Sequence, residues 1–291
     1  MPPPELTDAL NLRVEGYLGG RANQHWLVTA AGERLVLRRY QAGPIGDVGY
    51  ELTVLRRLAA LGWPTPVAVA EPVEAAGRTW CLFQWLPGGP PPEPDARRRG
   101  RLLARLHQDL VTLADLGQRP GARRAEDVVA DPALTEHLRA YERLYPREAR
   151  ILRWHLDRAR DAFAALDRAD CPLMVLHGDF HDQNLLYDNG TLTGIIDFEG
   201  THLNHRVSDF ALSWRGKYDD VIRGYTEVQP LTELDWALLT PALWAWAFLG
   251  VATELRAMAS GEIPPHRFEW QTKMLLRRSP LMGAHDEPYI E

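Results

Sequence analysis

A chain of 291 residues and 32.9 kDa is long enough for one large or two closely packed domains around a substantial core. With 45% hydrophobic and 25% charged residues it has an ordinary globular composition, which excludes wholesale disorder, collagen-like repeats and disulfide-dense scaffolds. The net charge of −6 gives no global attraction for nucleic acid, and Cys81 and Cys171 form neither a zinc-type cluster nor a disulfide framework.

The chain opens Met-Pro-Pro-Pro-Glu, with neither a basic segment nor an apolar run behind it, so no secretory signal and a cytoplasmic location are expected. Residues 15–85 read as short strands broken by turns. Tyr17-Leu18 leads into Gly19-Gly20, and apolar-rich runs at 26–29 and 34–40 flank Ala31-Gly32, the pattern of antiparallel strands. Glu51, Leu52, Leu55, Leu58 and Ala59 recur at helical steps until Gly62 and Pro64 stop them. Strand-like runs at 67–72 and 79–85 complete a small β lobe carrying one helix. The segment 87–94, Pro-Gly-Gly-Pro-Pro-Pro-Glu-Pro, is too rich in proline for helix or strand and predicts a stiff hinge.

Beyond the hinge, Asp95 is placed to cap a helix whose apolar face is Leu102, Leu103, Leu106, Leu110 and Leu113. The remainder is mainly helical. The exceptions are strand-like runs at 173–176, 185–187 and 192–196, the last two flanking Asp188-Asn189-Gly190, a hairpin turn signal. Residues 236–253 carry no charge and are long enough for a spanning helix. Pro241 and Gly250 are expected to interrupt them and Glu254 closes them, so they read as a buried core helix and no membrane partner is expected. The domains predicted are therefore an N-terminal β lobe at 1–86, a linker at 87–94 and a helical lobe at 95–291.

The densest polar cluster is His177-Gly178-Asp179-Phe180-His181-Asp182-Gln183-Asn184, and the hairpin after it delivers Asp197-Phe198-Glu199. Such groups are costly near a core unless they bind something. Asn184 lies five residues after Asp179, the separation of the catalytic aspartate and the metal-binding asparagine in the kinase pattern H-R-D-x-x-x-x-N. Asp197 follows one hairpin later, where kinases carry the aspartate of D-F-G.

On these two motifs the chain resembles the aminoglycoside phosphotransferase and choline kinase family of small-molecule kinases. The resemblance runs over about residues 15–275 and implies an α+β, protein-kinase-like bilobal fold, with a small antiparallel β lobe carrying one helix and a larger helical lobe. It implies transfer of the γ-phosphate of Mg-ATP, or of GTP in its place, to a hydroxyl of an aminosugar, an amino alcohol or a hydroxyl-bearing antibiotic or metabolite. Asp179 would orient that hydroxyl and accept its proton, Asn184 and Asp197 would hold Mg2+, and His177 would fix the loop. His181 and Asp182, in the variable part of the motif, are expected as exposed loop residues, with Asp182 a candidate acceptor contact.

In the first lobe, Gly20 and Asn23 fill the place of the loop over the phosphates. Only Lys217 and Lys273 are lysines, so Arg38, on the same strand face as Val36, takes the position of the cation in V-A-I-K. Glu51 is its expected partner. Gln84 and Leu86 stand in a hinge-like run whose backbone would meet the adenine edge. Glu199, His202 and Trp214 are candidate acceptor contacts, and Asp209 would brace the catalytic loop. Residues 201–291 hold twelve acidic and nine basic side chains, an excess too small to favour a highly cationic acceptor.

Two other readings are weaker. Gly178-Asp179-Phe180-His181 contains the Gly-Asp-x-His element of dinuclear metallophosphoesterases, but the further ligand segments those sites need are missing. A kinase-like binding module without activity would lack a base or a metal ligand, whereas Asp179, Asn184 and Asp197 are all present. Arg97-Arg98-Arg99-Gly100-Arg101 has no interleaved aromatics and reads as a solvated helix start, so no nucleic acid partner is expected.

Overall fold

The structure, a computed structural model, describes residues 1–20, 23–41, 47–166, 172–213, 218–264 and 270–276. The elements begin with α1 (Pro4–Ala9), β1 (Arg13–Gly19), β2 (Gln24–Ala30), β3 (Glu33–Arg39), α2 (Val48–Ala60), β4 (Val73–Ala75) and β5 (Arg78–Gln84). They continue with α3 (Ala96–Leu110), α4 (Ala125–Ala130), α5 (Pro132–Glu142), α6 (Pro146–Ala164), β6 (Leu173–Leu176), β7 (Leu185–Asp188), β8 (Thr191–Ile195) and β9 (His202–His205). Helices α7 (Ser208–Ser213), α8 (Tyr218–Thr226), α9 (Glu233–Ala259) and α10 (Trp270–Leu276) follow.

Packing divides the chain into two compact units. The first comprises Met1–Asp95, Thr112–Ala122 and His177–His202, and the second comprises Ala96–Val111, Arg123–Leu176 and Leu203–Glu291. The division drawn from sequence placed everything after the linker in one lobe. Here the linker backbone pairs with the hairpin that follows the His177–Asn184 segment: Gly89 and Tyr187 exchange N–H···O=C bonds of 3.1 and 2.7 Å, and Thr193 Oγ1 donates to the Pro87 carbonyl at 2.6 Å.

In the first unit an antiparallel sheet runs in the order β1-β2-β3-β5-β4. Alternation along β2, β3 and β5 turns Trp26, Val28, Leu35, Leu37, Trp80 and Leu82 to one face, where they bury against Leu6 of α1. The opposite face of β3 therefore carries Val36 and Arg38. Helix α2 starts where the Asp47 side chain accepts the Gly49 N–H, and it buries Glu51, Val54, Leu55 and Leu58, a stripe at steps of three and four. Glu51 is inside because it occupies a position on that stripe.

Residues 67–72, expected as a strand, instead make only the isolated bridge Ala68↔Phe83 to β5 before the chain bends at 69–70. The edge strand β4 begins after Pro72, a residue with no N–H to give a ladder. Three two-residue turns, Ala31-Gly32, Ala76-Gly77 and Asn189-Gly190, have positive φ at both positions, the geometry that matches strand twist across a tight hairpin.

In the second unit β6 pairs with β9. Helix α3 crosses α8 closely: a Cβ on Gly100 would lie 2.0 Å from the Val221 carbonyl, and one on Gly224 would lie 1.9 Å from that of Arg97. Helix α9 is long and apolar enough to span a bilayer by length and composition, with 56% of its most apolar window buried inside the protein. It packs on α4, α5, α6, α7 and α10, as the helix of a protein core does. Pro241 and Gly250 do not interrupt it. The helix runs unbroken over 27 residues from a Thr232–Asp235 capping box, and packing of the buried Pro241 holds it across the one missing hydrogen bond.

Candidate active site

The His177–Asn184 loop is braced from within. His177 is fully buried. Its Nδ1 accepts the Asp179 N–H at 3.1 Å, which leaves Nε2 to donate to the Ile196 carbonyl, also at 3.1 Å. Gly178 has φ +85°, and a Cβ there would lie 2.2 Å from the Gly200 carbonyl oxygen, so the two motif loops touch backbone to backbone.

Asp179 keeps 26% of its side chain exposed. Asn184 Nδ2 donates to its carbonyl at 2.8 Å and to Oδ2 at 3.2 Å, while Oδ1 lies 3.3 Å from His181 Nε2. The Gln183 N–H occupies His181 Nδ1 at 3.2 Å, which fixes Nε2 as the donor toward Asp179. His181 was expected as an exposed loop residue and is instead buried, because its ring fills the space between Asp179 and Asn184. Asp182 is partly buried at the start of the 3₁₀ turn Asp182–Asn184.

Asp197 is held at φ 68°, ψ 54°, a left-handed conformation that costs a non-glycine residue about 1–3 kcal/mol and gathers at functional sites. Arg38, 5% exposed, meets three carboxylates. Its Nη1 donates to Glu51 Oε1 at 2.9 Å, and its Nη2 lies 2.8 Å from Glu199 Oε2 and 3.4 Å from Asp197 Oδ1. The guanidinium also stacks over Tyr40, 4.7 Å from the ring centre. Burial opposes its charge, but Glu51, with Tyr40, Asp197 and Glu199, outweighs that and raises its pKa. Burial first and Asp197 second push the Glu199 carboxyl up to about 7, against the opposing pull of Arg38.

The other expected positions fall as follows. Asn23 is 2% exposed, its Oδ1 accepts the Gln41 N–H at 2.9 Å, and its Nδ2 donates to Glu199 Oε2 in a short hydrogen bond. Gly20 has φ +125°, and a Cβ on it would lie 1.8 Å from the Asn23 carbonyl oxygen. The Gln84 side chain is exposed and its N–H is given to the Val67 carbonyl at 3.0 Å, while the partly buried Leu86 lies over Gly194. Glu199, expected beside the acceptor, sits against Arg38 and Asn23. His202 Nδ1 bonds the Gly200 carbonyl at 2.7 Å. Trp214 lies outside the described residues. Asp209 is fully buried and its Oδ2 lies 3.0 Å from His107 Nε2.

Arg119 carried no sequence signal, being a lone arginine between Gly117 and Pro120-Gly121. Only tertiary structure shows it 1% exposed beneath the site.

Among the described residues no group of three or more His, Cys, Asp or Glu side chains is assembled around a metal position. What is present is a partial set of oxygen ligands, the Asp197 and Glu199 carboxylates on one guanidinium nitrogen, with Asn184 tied by its backbone carbonyl to the Ile196 N–H at 2.9 Å, next to Asp197 in the chain. Such a set suits a hard ion like Mg2+, which takes one or two carboxylates and completes its shell with phosphate and water oxygens.

The model of the phosphotransferase enzyme family matches residues 13–241. A homoserine kinase of Zymomonas mobilis subsp. mobilis is 25% identical over 247 residues, covering 76% of this chain and 74% of that protein. One from Phenylobacterium zucineum is 26% identical over an alignment of 302 residues, covering 92% and 88%. Among solved structures, a thermostable mutant of aminoglycoside phosphotransferase APH(4)-Ia in ternary complex with ADP and hygromycin B superposes with a TM-score of 0.65 at 17% identity, covering 97% of this chain and 98% of that one. Amicoumacin kinase hAmiN, in complex with AMP-PNP, Ca2+ and Ami, superposes with a TM-score of 0.66 at 16% identity, covering 98% and 95%. The fold is thus the kinase-like α+β fold that the motifs implied.

Proposed function

Since the chain belongs to the phosphotransferase enzyme family, a family of small-molecule kinases, we propose that it moves the γ-phosphoryl group of Mg-ATP to the hydroxyl of a small amino alcohol of the homoserine type. The observation that carries the reading is the placement of Asp179, partly exposed and held by donors from His181 and Asn184, on the loop locked against the Asp197–Glu199 turn. The homoserine kinases matched over three quarters or more of this chain favour an amino alcohol, and the modest acidic excess of the C-terminal third accords with an acceptor of low charge.

Chemically, the transferred group needs positioning and charge stabilisation more than covalent help. Mg2+, when bound through Asp197, Asn184 and Glu199, supplies neutralisation of the phosphate oxygens. The chain's own residues do the rest. Asn184 and His181 turn the Asp179 carboxylate to receive the acceptor O–H, and the proton passes to a carboxylate oxygen as the acceptor oxygen attacks. Arg38, kept charged by Glu51, places a buried cation beside the metal-side carboxylates.

The test is ADP release from Mg-ATP, and from Mg-GTP for comparison, with L-homoserine, choline, hygromycin B and spectinomycin as acceptors, followed by mass identification of the product. Phosphohomoserine is expected. Absence of phosphorylated product with every acceptor, or manganese-dependent phosphoester hydrolysis without nucleotide, would sink this reading.

A further inference from the structure

We propose that Arg119 is a positioning residue for phosphoryl transfer: its buried guanidinium fastens the turn after Asp197 to the head of α2 and so holds the Glu51–Arg38 pair in register with Asp197 and Glu199. The inference rests on the kinase reading above and adds to it a residue outside both motifs.

A guanidinium out of water is costly unless its donors are satisfied. Arg119 spends them on main-chain carbonyls from two remote segments. Its Nε donates to Asp47 at 3.0 Å, and its Nη1 donates to Glu199 at 2.6 Å and to Thr201 at 3.1 Å. Asp47 is the N-cap of α2, and Glu51 lies one turn beyond it on the buried stripe, so the helix head sets where the Glu51 carboxylate stands. Glu199 is gripped at both ends, its carbonyl by Arg119 and its carboxylate by Arg38.

The segment that carries Arg119 is itself tied to the helix. The Asp47 N–H donates to the Pro120 carbonyl at 3.2 Å and the Tyr50 hydroxyl to the Gly117 carbonyl at 3.0 Å. The Arg119 side chain carries that attachment on to the turn at 199–201. Its remaining nitrogen, Nη2, lies 3.8 Å from Glu51 Oε2, and neither atom has a hydrogen-bond partner. Glu51 thus stands between two guanidiniums, bonded to one and compensated by the other. A lysine at 119 would supply the charge from a single nitrogen and could not bridge the same carbonyls, which is the difference between a fork and a point charge.

The experiment compares wild type with Arg119→Lys, Arg119→Gln and the control Arg57→Ala, which breaks an exposed ion pair to Asp115. Thermal melts establish folding, calorimetry with Mg-AMP-PNP gives nucleotide affinity, and steady-state kinetics separates kcat from each KM. Loss of an outer-shell partner typically costs about 10–100-fold. Both Arg119 variants should therefore bind Mg-AMP-PNP at least about tenfold more weakly, with a matching fall in kcat and acceptor KM within about twofold. Arg57→Ala should match wild type.

A folded Arg119→Lys with affinity and kcat within about twofold of wild type overturns the inference. Should neither variant fold, hydrogen exchange on wild type decides. Mg-AMP-PNP slowing exchange at 47–51, 117–122 and 197–201 together supports it, and slowing confined to 197–201 overturns it. Wild type that binds no Mg-nucleotide overturns the kinase reading and this inference with it, whereas wild-type binding that the variants share overturns the inference alone.

Discussion

Arg38 Nη1 lies 2.9 Å from Glu51 Oε1, with 6% of one side chain and none of the other open to solvent. A pair so placed is kept because neither member tolerates the loss of the other. Removing one partner leaves a buried charge, at a typical cost of about 3–5 kcal/mol, whereas replacing both by apolar groups is milder. Urea unfolding should therefore show Arg38→Met less stable than the Arg38→Met/Glu51→Met double variant. A single variant as stable as wild type would show that the pair is not a buried couple.

Asp179 and Asp197 should fail differently. Asp179→Ala removes the group that receives the acceptor proton, and turnover should fall by about 10²–10⁴-fold while Mg-nucleotide still binds. Asp197→Ala should abolish turnover and also weaken Mg-nucleotide binding measured by calorimetry. Near-native turnover in either variant contradicts the role assigned to it.

Gly178 and Gly190 both have positive φ, but only Gly178 faces another backbone, with a Cβ placed 2.2 Å from the Gly200 oxygen and nothing within 4 Å at Gly190. Gly190→Ala should cost only the left-handed strain, about 1–2 kcal/mol, with activity retained. Gly178→Ala must push the two motif loops apart, so it should be the less stable protein and lose turnover. Equal melting temperatures and rates for the two would contradict this.

His155, in α6, is 5% exposed, and Trp244 Nε1 donates to its Nδ1 at 3.2 Å. Burial pushes its pKa down from 6.5 to about 4, so the folded protein holds it neutral while the unfolded chain takes up a proton first. Its contribution is present at neutral pH and is lost as pH falls from 6.5 toward 4, by on the order of 3 kcal/mol. Below pH 4 both states are protonated and the loss stops. Urea titrations across pH 7 to about 4 on wild type and His155→Gln should show a shallower acid slope in the variant. Identical slopes would mean His155 does not stay neutral.

Much of the fold was written locally. Helix α2 follows from its spaced apolar residues and the hairpin at 185–195 from Asn189-Gly190, while the pairing of Arg38 with Glu51 was expected from the kinase resemblance, strand alternation giving only the face of Arg38. Reading Pro241 and Gly250 as breaks failed because burial of α9 along its length outweighs the local penalty of each.

Read alone, the sequence showed roughly where strands, turns and helices lie, since spacing and turn preference act over a few residues, and its two motifs marked the candidates for the chemistry through their resemblance to a kinase family. Only packing brought His181 inward, Asn23 onto Glu199, and Arg119 between the Glu199 turn and Asp47. Asn23 and Glu199 stand 176 positions apart, Arg38 and Glu199 161, and Arg119 and Glu199 80. Contacts at such separations are fixed by how whole elements pack and by the cost of leaving a buried charge or amide unpaired, and no local pattern along the chain encodes them.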